Sequence, residues 1–199
     1  MTLLAVSQRV LPAGVSLERR DALDQAWIPF LLAAGLTPVP VPNVVAGAQK
    51  LLADLQPHGI LLTGGNDLSA YGGDAPDRDD TEALLIEWAR QHHRPLLGVC
   101  RGMQMLAHHF GGTLTRVEGH VACRHEVEGL DRPLQVNSFH QWAVAAAPGF
   151  RITATAGEVA EAMVHEHGLM AGQMWHPERN DPMDDADLER FRRFFKEQS

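Results

Sequence analysis

Residues 98–104 read "GVCRGMQ", which sets Cys100, one of two cysteines, between Gly98 and Gly102. The run before it, "RPLLGVC", is strand-like, and "RGMQMLAHHF" after it is helix-like. This is the G-x-nucleophile-x-G form of a nucleophile elbow, a sharp strand-to-helix turn that lifts one side chain above a sheet. A Cβ at either glycine would crowd the neighbouring backbone. A helix starting at Arg101 favours the thiolate over the thiol, and its first backbone N–H groups, that of Arg101 foremost, can face a developing oxyanion. An isolated cysteine reads as a small buried hydrophobe; the glycine frame argues against that here, provided that a base is found.

"WHPE", residues 175–178, supplies one. His176 lies just past an apolar strand, and Glu178 follows at i+2, the same side of an extended chain, where it can hold the imidazole in one tautomer. Nucleophile, base and orienter are then Cys100, His176 and Glu178. "LLTGGND", residues 61–67, is a buried strand ending in paired glycines, so its backbone can approach a ligand closely; the Gly65 N–H is the candidate second oxyanion donor, with a plain tight turn as the alternative.

Elements that could carry these groups follow from periodicity. "LLAVSQ", "TPVPVP", "HGILLTGG" and "RPLLGVC" read as strands. Between them, residues 16–35, with Ser16 as a cap and Pro29 forcing a kink or a late restart, "AGAQKLLADL" and "TEALLIEWARQHH" read as helices. Residues 66–80 read as a long loop containing Arg78. Strands alternating with helices predict a parallel sheet covered on both faces. From residue 113 the pattern changes to short strands ("TLTRV", "PLQVNSF", "FRITATA", "VAEAMVHEHG", "LMAGQMWH"), which predict antiparallel additions; "DADLERFRRFFKEQ" closes as an amphipathic helix with Leu188, Phe191, Phe194 and Phe195 inward. No linker or repeat interrupts residues 1–199, so one α/β domain is expected.

"GVCRGMQ" and "WHPE" together resemble the class I glutamine amidotransferases. That resemblance implies a flavodoxin-like fold, with a mostly parallel central sheet and helices on both faces, and a Cys-His-Glu triad that cleaves a γ-glutamyl amide through a thioester. "LLTGGND" and "VNSFHQ" are similar to the γ-glutamyl-γ-aminobutyrate hydrolase branch (peptidase family C26). "SQRV", "ERRDALDQAW", "EGHVACRH" and "VNSFHQWAV" look like the bacterial γ-glutamyl-CDP-amidate hydrolases. This narrower likeness implies hydrolysis of N5-(cytidine 5′-diphosphoramidyl)-L-glutamine to glutamate and cytidine diphosphoramidate in capsule phosphoramidate synthesis. The alternatives are a γ-glutamyl-γ-aminobutyrate-type hydrolase, a glutaminase subunit feeding a synthetase, and a redox-sensing thiol protein. The resemblance assigns glutamyl recognition to Asn137, Ser138 and His140, with Gln104 near by. Arg124 and His120 in "HVACRH" are candidate contacts to an anionic leaving group, since an acidic protein handling a diphosphate needs local cations.

His-x-x-Cys-x-His within "HVACRH" could be a metal fragment, but no matching second pair of ligands is evident in the linear sequence. No metal is assigned there, and the reaction calls for no metal or organic cofactor. The helix-end pairs His92-His93 and His108-His109 need no further role, and "DPMDDAD" lacks calcium-loop spacing.

The net charge of -8 over 199 residues, with no basic block, excludes nucleic acid as an expected partner. "MTLLAVSQRV" lacks the features of a secretory leader, and no apolar run is long enough to span a bilayer, so a cytoplasmic location with both cysteines reduced is expected. The expected partner is a small γ-glutamyl substrate; a homodimer or a synthetase partner stays open.

Overall fold

The computed structural model describes residues 2–14, 17–130 and 133–196. Its centre is a sheet in the order β4-β1-β5-β6-β13-β12-β10-β7, with β11 paired to β12. The parallel part comprises β1 (Leu3–Val6), β4 (Thr37–Pro40), β5 (Gly59–Leu62), β6 (Leu96–Val99) and β13 (Met170–Gln173). The antiparallel additions are β7 (Thr113–Arg116), β10 (Trp142–Ala146), β11 (Phe150–Ala156) and β12 (Val159–His165). The expected α/β architecture is therefore present, with one correction: "LMAGQMWH", expected among the antiparallel additions, supplies β13, which runs parallel to β6 and antiparallel only to β12.

Side chains alternate across the parallel strands because the strand period is two. Leu4, Val6, Leu61, Leu97 and Val99 pack with Trp27, Phe30, Phe191 and Phe195, on α1 (Trp27–Ala33) and α5 (Asp185–Lys196). Ala5, Ile60, Leu62 and Leu96 face the opposite layer of α2 (Val45–Leu55), α3 (Pro76–Gln91) and α4 (Arg101–His109). Two helical layers therefore bury both faces of the strands that carry the glycine turns.

Several boundaries differ from the sequence reading. The helix expected over 16–35 starts only at Trp27. Pro29 then falls in the first turn, where a missing N–H is tolerated, which accounts for the late start. Upstream, β2 (Arg9–Leu11) and β3 (Arg20–Ala22) form a separate two-stranded ribbon, and the proposed cap Ser16 lies outside the described residues. The loop expected over 66–80 gives way to α3 at Pro76, with proline at the first turn and Asp77 and Asp79 beside it, a favoured helix start. Arg78 is therefore a fully buried helical residue and not a solvated loop arginine. "HVACRH" lies largely in β8 (Val121–Val127), which pairs with β9 (Leu134–Phe139) in a second small sheet, and β10 falls on a segment that the sequence reading left without an element.

Candidate functional site

Strands β1, β5, β6 and β13 are neighbours and parallel, so their C-terminal ends open on one edge, where α/β sheets bind ligands. Ser7, Thr63-Gly64, Cys100 and, three residues past β13, His176 lie at or just beyond those ends.

Cys100 adopts φ 53° and ψ −108°, a conformation rare for a side-chain-bearing residue, between β6 and α4. Its N–H is anchored on the Gln173 carbonyl at 2.7 Å. The flanking glycines permit the bend: a Cβ on Gly98 would lie 2.4 Å from the Gly102 carbonyl atoms, and one on Gly102 would lie 2.3 Å from the Leu62 oxygen.

His176 Nδ1 lies 2.7 Å from Glu178 Oε1, and the ring also interacts with the Cys100 thiol. Gly64 marks where they meet, since a Cβ there would fall 2.6 Å from His176 Cε1, 3.2 Å from Nε2 and 3.5 Å from Cys100 Cβ. Burial disfavours the imidazolium, but the hydrogen bonds and charges of Cys100 and Glu178 outweigh it and raise the His176 pKa to about 9. The i, i+2 pairing is reached differently from the extended geometry expected: Pro177–Arg179 form a 3-10 turn, with His176 extended just before it.

Asn137 holds this turn in place. Its amide donates to the His176 carbonyl and accepts from the His176 N–H, each at 2.8 Å. The other side chains assigned to substrate also have internal partners. Gln104 donates to the Trp142 carbonyl at 2.9 Å, Ser138 to the His120 carbonyl at 2.7 Å, and Arg124 to the Gln135 carbonyl at 3.0 Å. His140 Nδ1 lies 3.1 Å from the Trp142 carbonyl. Arg124, Asn137, Phe139 and Arg179 line an open cleft of about 360 Å³. The Arg179 guanidinium stacks 4.6 Å from the centre of the Phe139 ring, which in turn meets His176 edge-on at 5.9 Å. Arg116 sits on β7 and stacks on Trp142.

Sequence reasoning missed the ionic layer beneath the elbow. The Arg101 side chain is buried against Glu82 and Asp79, and Arg78 Nε donates to Glu82 at 2.9 Å. Arg78 also donates to the Thr63 carbonyl at 2.7 Å, to the Gly64 carbonyl at 3.1 Å and to the Gly65 carbonyl. Ser7 donates to Glu82 at 2.8 Å and accepts from the Thr63 N–H at 2.9 Å. Burial alone would raise the Glu82 carboxyl, yet Arg101 and Arg78 hold it below the usual range; burial brings Arg78 down to about 10. The available signal was the Arg78–Glu82 spacing of i, i+4, hidden when the segment was taken as a loop.

The model of the class I glutamine amidotransferases ("Glutamine amidotransferase class-I") matches residues 30–196. The chain belongs to this family. Among its relatives, a γ-glutamyl-CDP-amidate hydrolase of Campylobacter jejuni is 29% identical over 193 residues, covering 93% of this chain and 94% of that protein. A γ-glutamyl-γ-aminobutyrate hydrolase of Escherichia coli O157:H7 is 31% identical over 203 residues, covering 80% of each chain. A glutamine amidotransferase of Thermotoga maritima has the same fold, with a TM-score of 0.68 at 16% identity over 99% of this chain and 85% of that one. In this chain the elbow and the His-Pro-Glu turn bring Cys100 and His176 together at one end of the sheet. No helix among the described residues is long and apolar enough to cross a membrane.

Proposed function

We propose that this amidotransferase-family protein is a free-standing cysteine hydrolase that releases L-glutamate from a γ-glutamyl amide, with N5-(cytidine 5′-diphosphoramidyl)-L-glutamine as the preferred substrate. The observation that carries the reading is the buried His176 ring standing between the Cys100 thiol and the Glu178 carboxylate at the C-terminal ends of the parallel strands.

With its pKa raised to about 9, His176 is the group that takes the Cys100 proton as the sulfur attacks. Sγ adds to the γ-carbonyl carbon, and the carbonyl oxygen takes the negative charge. The Gly65 and Arg101 N–H groups receive that oxyanion. Support for Gly65 comes from Arg78: in a trans peptide the C=O and the following N–H point in opposite directions, so Arg78 bound to the Gly64 carbonyl turns the Gly65 N–H away from itself. Loss of one such donor costs about 3–4 kcal/mol of transition-state stabilisation. His176 then gives its proton to the leaving nitrogen, the C–N bond breaks and a γ-glutamyl thioester remains. The neutral imidazole takes a proton from water, hydroxide adds to the thioester, and glutamate departs as the imidazolium returns its proton to the sulfur.

Asn137 acts in this scheme through His176, whose backbone it holds at both ends, and not by touching substrate. Ser138, His140 and Gln104 are engaged in hydrogen bonds to the backbone of His120 and Trp142. Arg124 and Arg179, which share the cleft next to Asn137, are the cations available to a diphosphate leaving group. Coverage of nearly the whole length of the Campylobacter relative supports that substrate over a plain glutaminase.

The test is a coupled glutamate-release assay on glutamine, γ-glutamyl-γ-aminobutyrate and the CDP-amidate. The expected result is a kcat/KM for the CDP-amidate at least about 10-fold above the others, abolished in Cys100→Ala. Arg124→Ala should lose about 10-fold more on the CDP-amidate than on glutamine. Equally poor rates on every amide, rising only when a synthetase is added, would favour the glutaminase-subunit reading.

A further inference from the structure

We propose that His120, His125, His140 and Glu161 form a structural binding site for a divalent transition metal, of the kind that takes Zn²⁺, behind the candidate active site. These residues come from three separate places in the chain. His120 and His125 lie before and within β8, His140 just after β9, and Glu161 on β12 of the central sheet. Glu161 Oε1 stands 3.5 Å from His120 Nδ1, 3.4 Å from His125 Nε2 and 3.4 Å from His140 Nε2. The ligand atoms of His120, His140 and Glu161 all lie within 4.8 Å of one another; His125 Nε2 approaches the same Glu161 oxygen but stands outside that three-residue group.

Those separations are too long for charge-assisted hydrogen bonds, and they match the edge of a metal tetrahedron. Ligand atoms about 2.0–2.1 Å from a tetrahedral centre stand about 3.3–3.4 Å apart. The same chain shows what a His–Glu hydrogen bond looks like, with His176 and Glu178 at 2.7 Å. At the cluster, by contrast, three imidazole nitrogens approach one oxygen almost equally and none closes on it.

Burial makes the arrangement costly without an ion. The Glu161 and His140 side chains are each 1% exposed. Both Glu161 oxygens, His120 Nδ1, His125 Nε2 and His140 Nε2 are buried without a hydrogen-bond partner. A buried carboxylate is retained where it is paired or bound to a metal. His140 Nδ1 faces the Trp142 carbonyl at 3.1 Å, and donation there leaves the Nε2 lone pair free for a metal, the usual outer-shell device for a ligating histidine. His120 is fixed by its carbonyl, which accepts from Ser138 Oγ at 2.7 Å and from the His140 N–H at 3.0 Å.

His120, His140 and Glu161 supply three ligands, and the buried Nε2 of His125, 3.4 Å from Glu161 Oε1, is placed to close on the fourth position when an ion binds, which would make the site structural and not catalytic. The ion would fasten the β8–β9 sheet to β12. That sheet carries Asn137, and the Glu161 carbonyl accepts from the Met174 N–H at 2.8 Å, two residues before His176. The second pair of ligands that the linear sequence did not reveal is His140 and Glu161; Cys123 is directed instead to the Gly119 carbonyl at 3.1 Å.

The test uses the full chain carrying Cys100→Ala and Cys123→Ser, so that no thiolate can ligate. The protein is purified from zinc-supplemented medium, its metal content measured, then stripped with chelator and titrated with Co²⁺. The expected results are about one zinc per chain, stoichiometric Co²⁺ uptake with tetrahedral d–d bands, and a Tm that falls by about 5–10 °C on stripping and returns with Zn²⁺. Glu161→Gln should weaken metal affinity by at least about 10–100-fold. If that variant does not fold, His125→Ala, at the more exposed rim, carries the same comparison. Failure of the folded, stripped chain to take up either ion would overturn the site. So would a Glu161→Gln chain whose Tm exceeds that of the parent while added metal changes neither.

Discussion

Three influences act on the His176 ring. Burial opposes its charge, and the Cys100 and Glu178 contacts favour it more strongly, so the folded pKa stands near 9 against an ordinary 6.5. The sign follows directly: the folded state binds the proton more tightly, so this pairing adds its full stability below pH 6.5 and loses it as pH rises through about 9. Glu178→Gln removes one of the favourable partners. The His176 imidazole resonances should then titrate below the wild-type midpoint of about 9 in NMR. The turnover number should fall by about 10²–10⁴-fold, since the base loses its tautomer and orientation. A wild-type midpoint at the ordinary histidine value would contradict the coupling. Asn137→Ala separates positioning from binding at the same ring: kcat should fall by about 10-fold or more while KM changes little, as for an interaction felt chiefly in the transition state.

The turn after β5, the elbow after β6 and the start of α3 operate as one unit through Arg78, Glu82 and Arg101. Glu82 receives both guanidinium groups inside the protein, so Glu82→Gln leaves two buried cations short of a counter-charge. Such a loss costs about 3–5 kcal/mol, which should lower Tm by roughly 10–15 °C in a thermal scan. A fall of only a degree or two would mean that the ionic layer contributes little to holding the loop. The sequence reading recovered β5, β6 and α4 because glycine punctuation and apolar runs are local signals. It mistook the start of α3 for loop because Gly, Asp and Pro are shared by loops and helix N-termini, and only the packing of Arg78 beneath Gly64 separates the two. "HVACRH" has the alternation of neither a core strand nor a helix, and its pairing with β9 supplies what its own composition lacks.

Across the molecule, the two helical layers clamp the sheet whose edge carries the site. Phe191 is fully buried and meets Phe30 edge-on at 4.9 Å, joining α5 to α1 over β1 and β6. Phe191→Ala should destabilise the protein by about 3–5 kcal/mol, read as a lower urea midpoint, while any folded fraction keeps its His176 pKa. An unchanged midpoint would place the closing helix outside the cooperative core. The sequence by itself determined the glycine-framed turn at Cys100, the pairing of His176 with Glu178, the mixed α/β class and the amphipathic closing helix, because each is written in local spacing: glycines around a cysteine, an acid two residues from a histidine, apolar periods of two or 3.6. Only the tertiary structure decided that Asn137 grips the His176 backbone, that Arg78 and Glu82 lie under the elbow, and that Glu161 faces His120, His125 and His140. Those partners are distant along the chain, and nothing in a linear pattern encodes contacts that arise only when separate strands are brought into register.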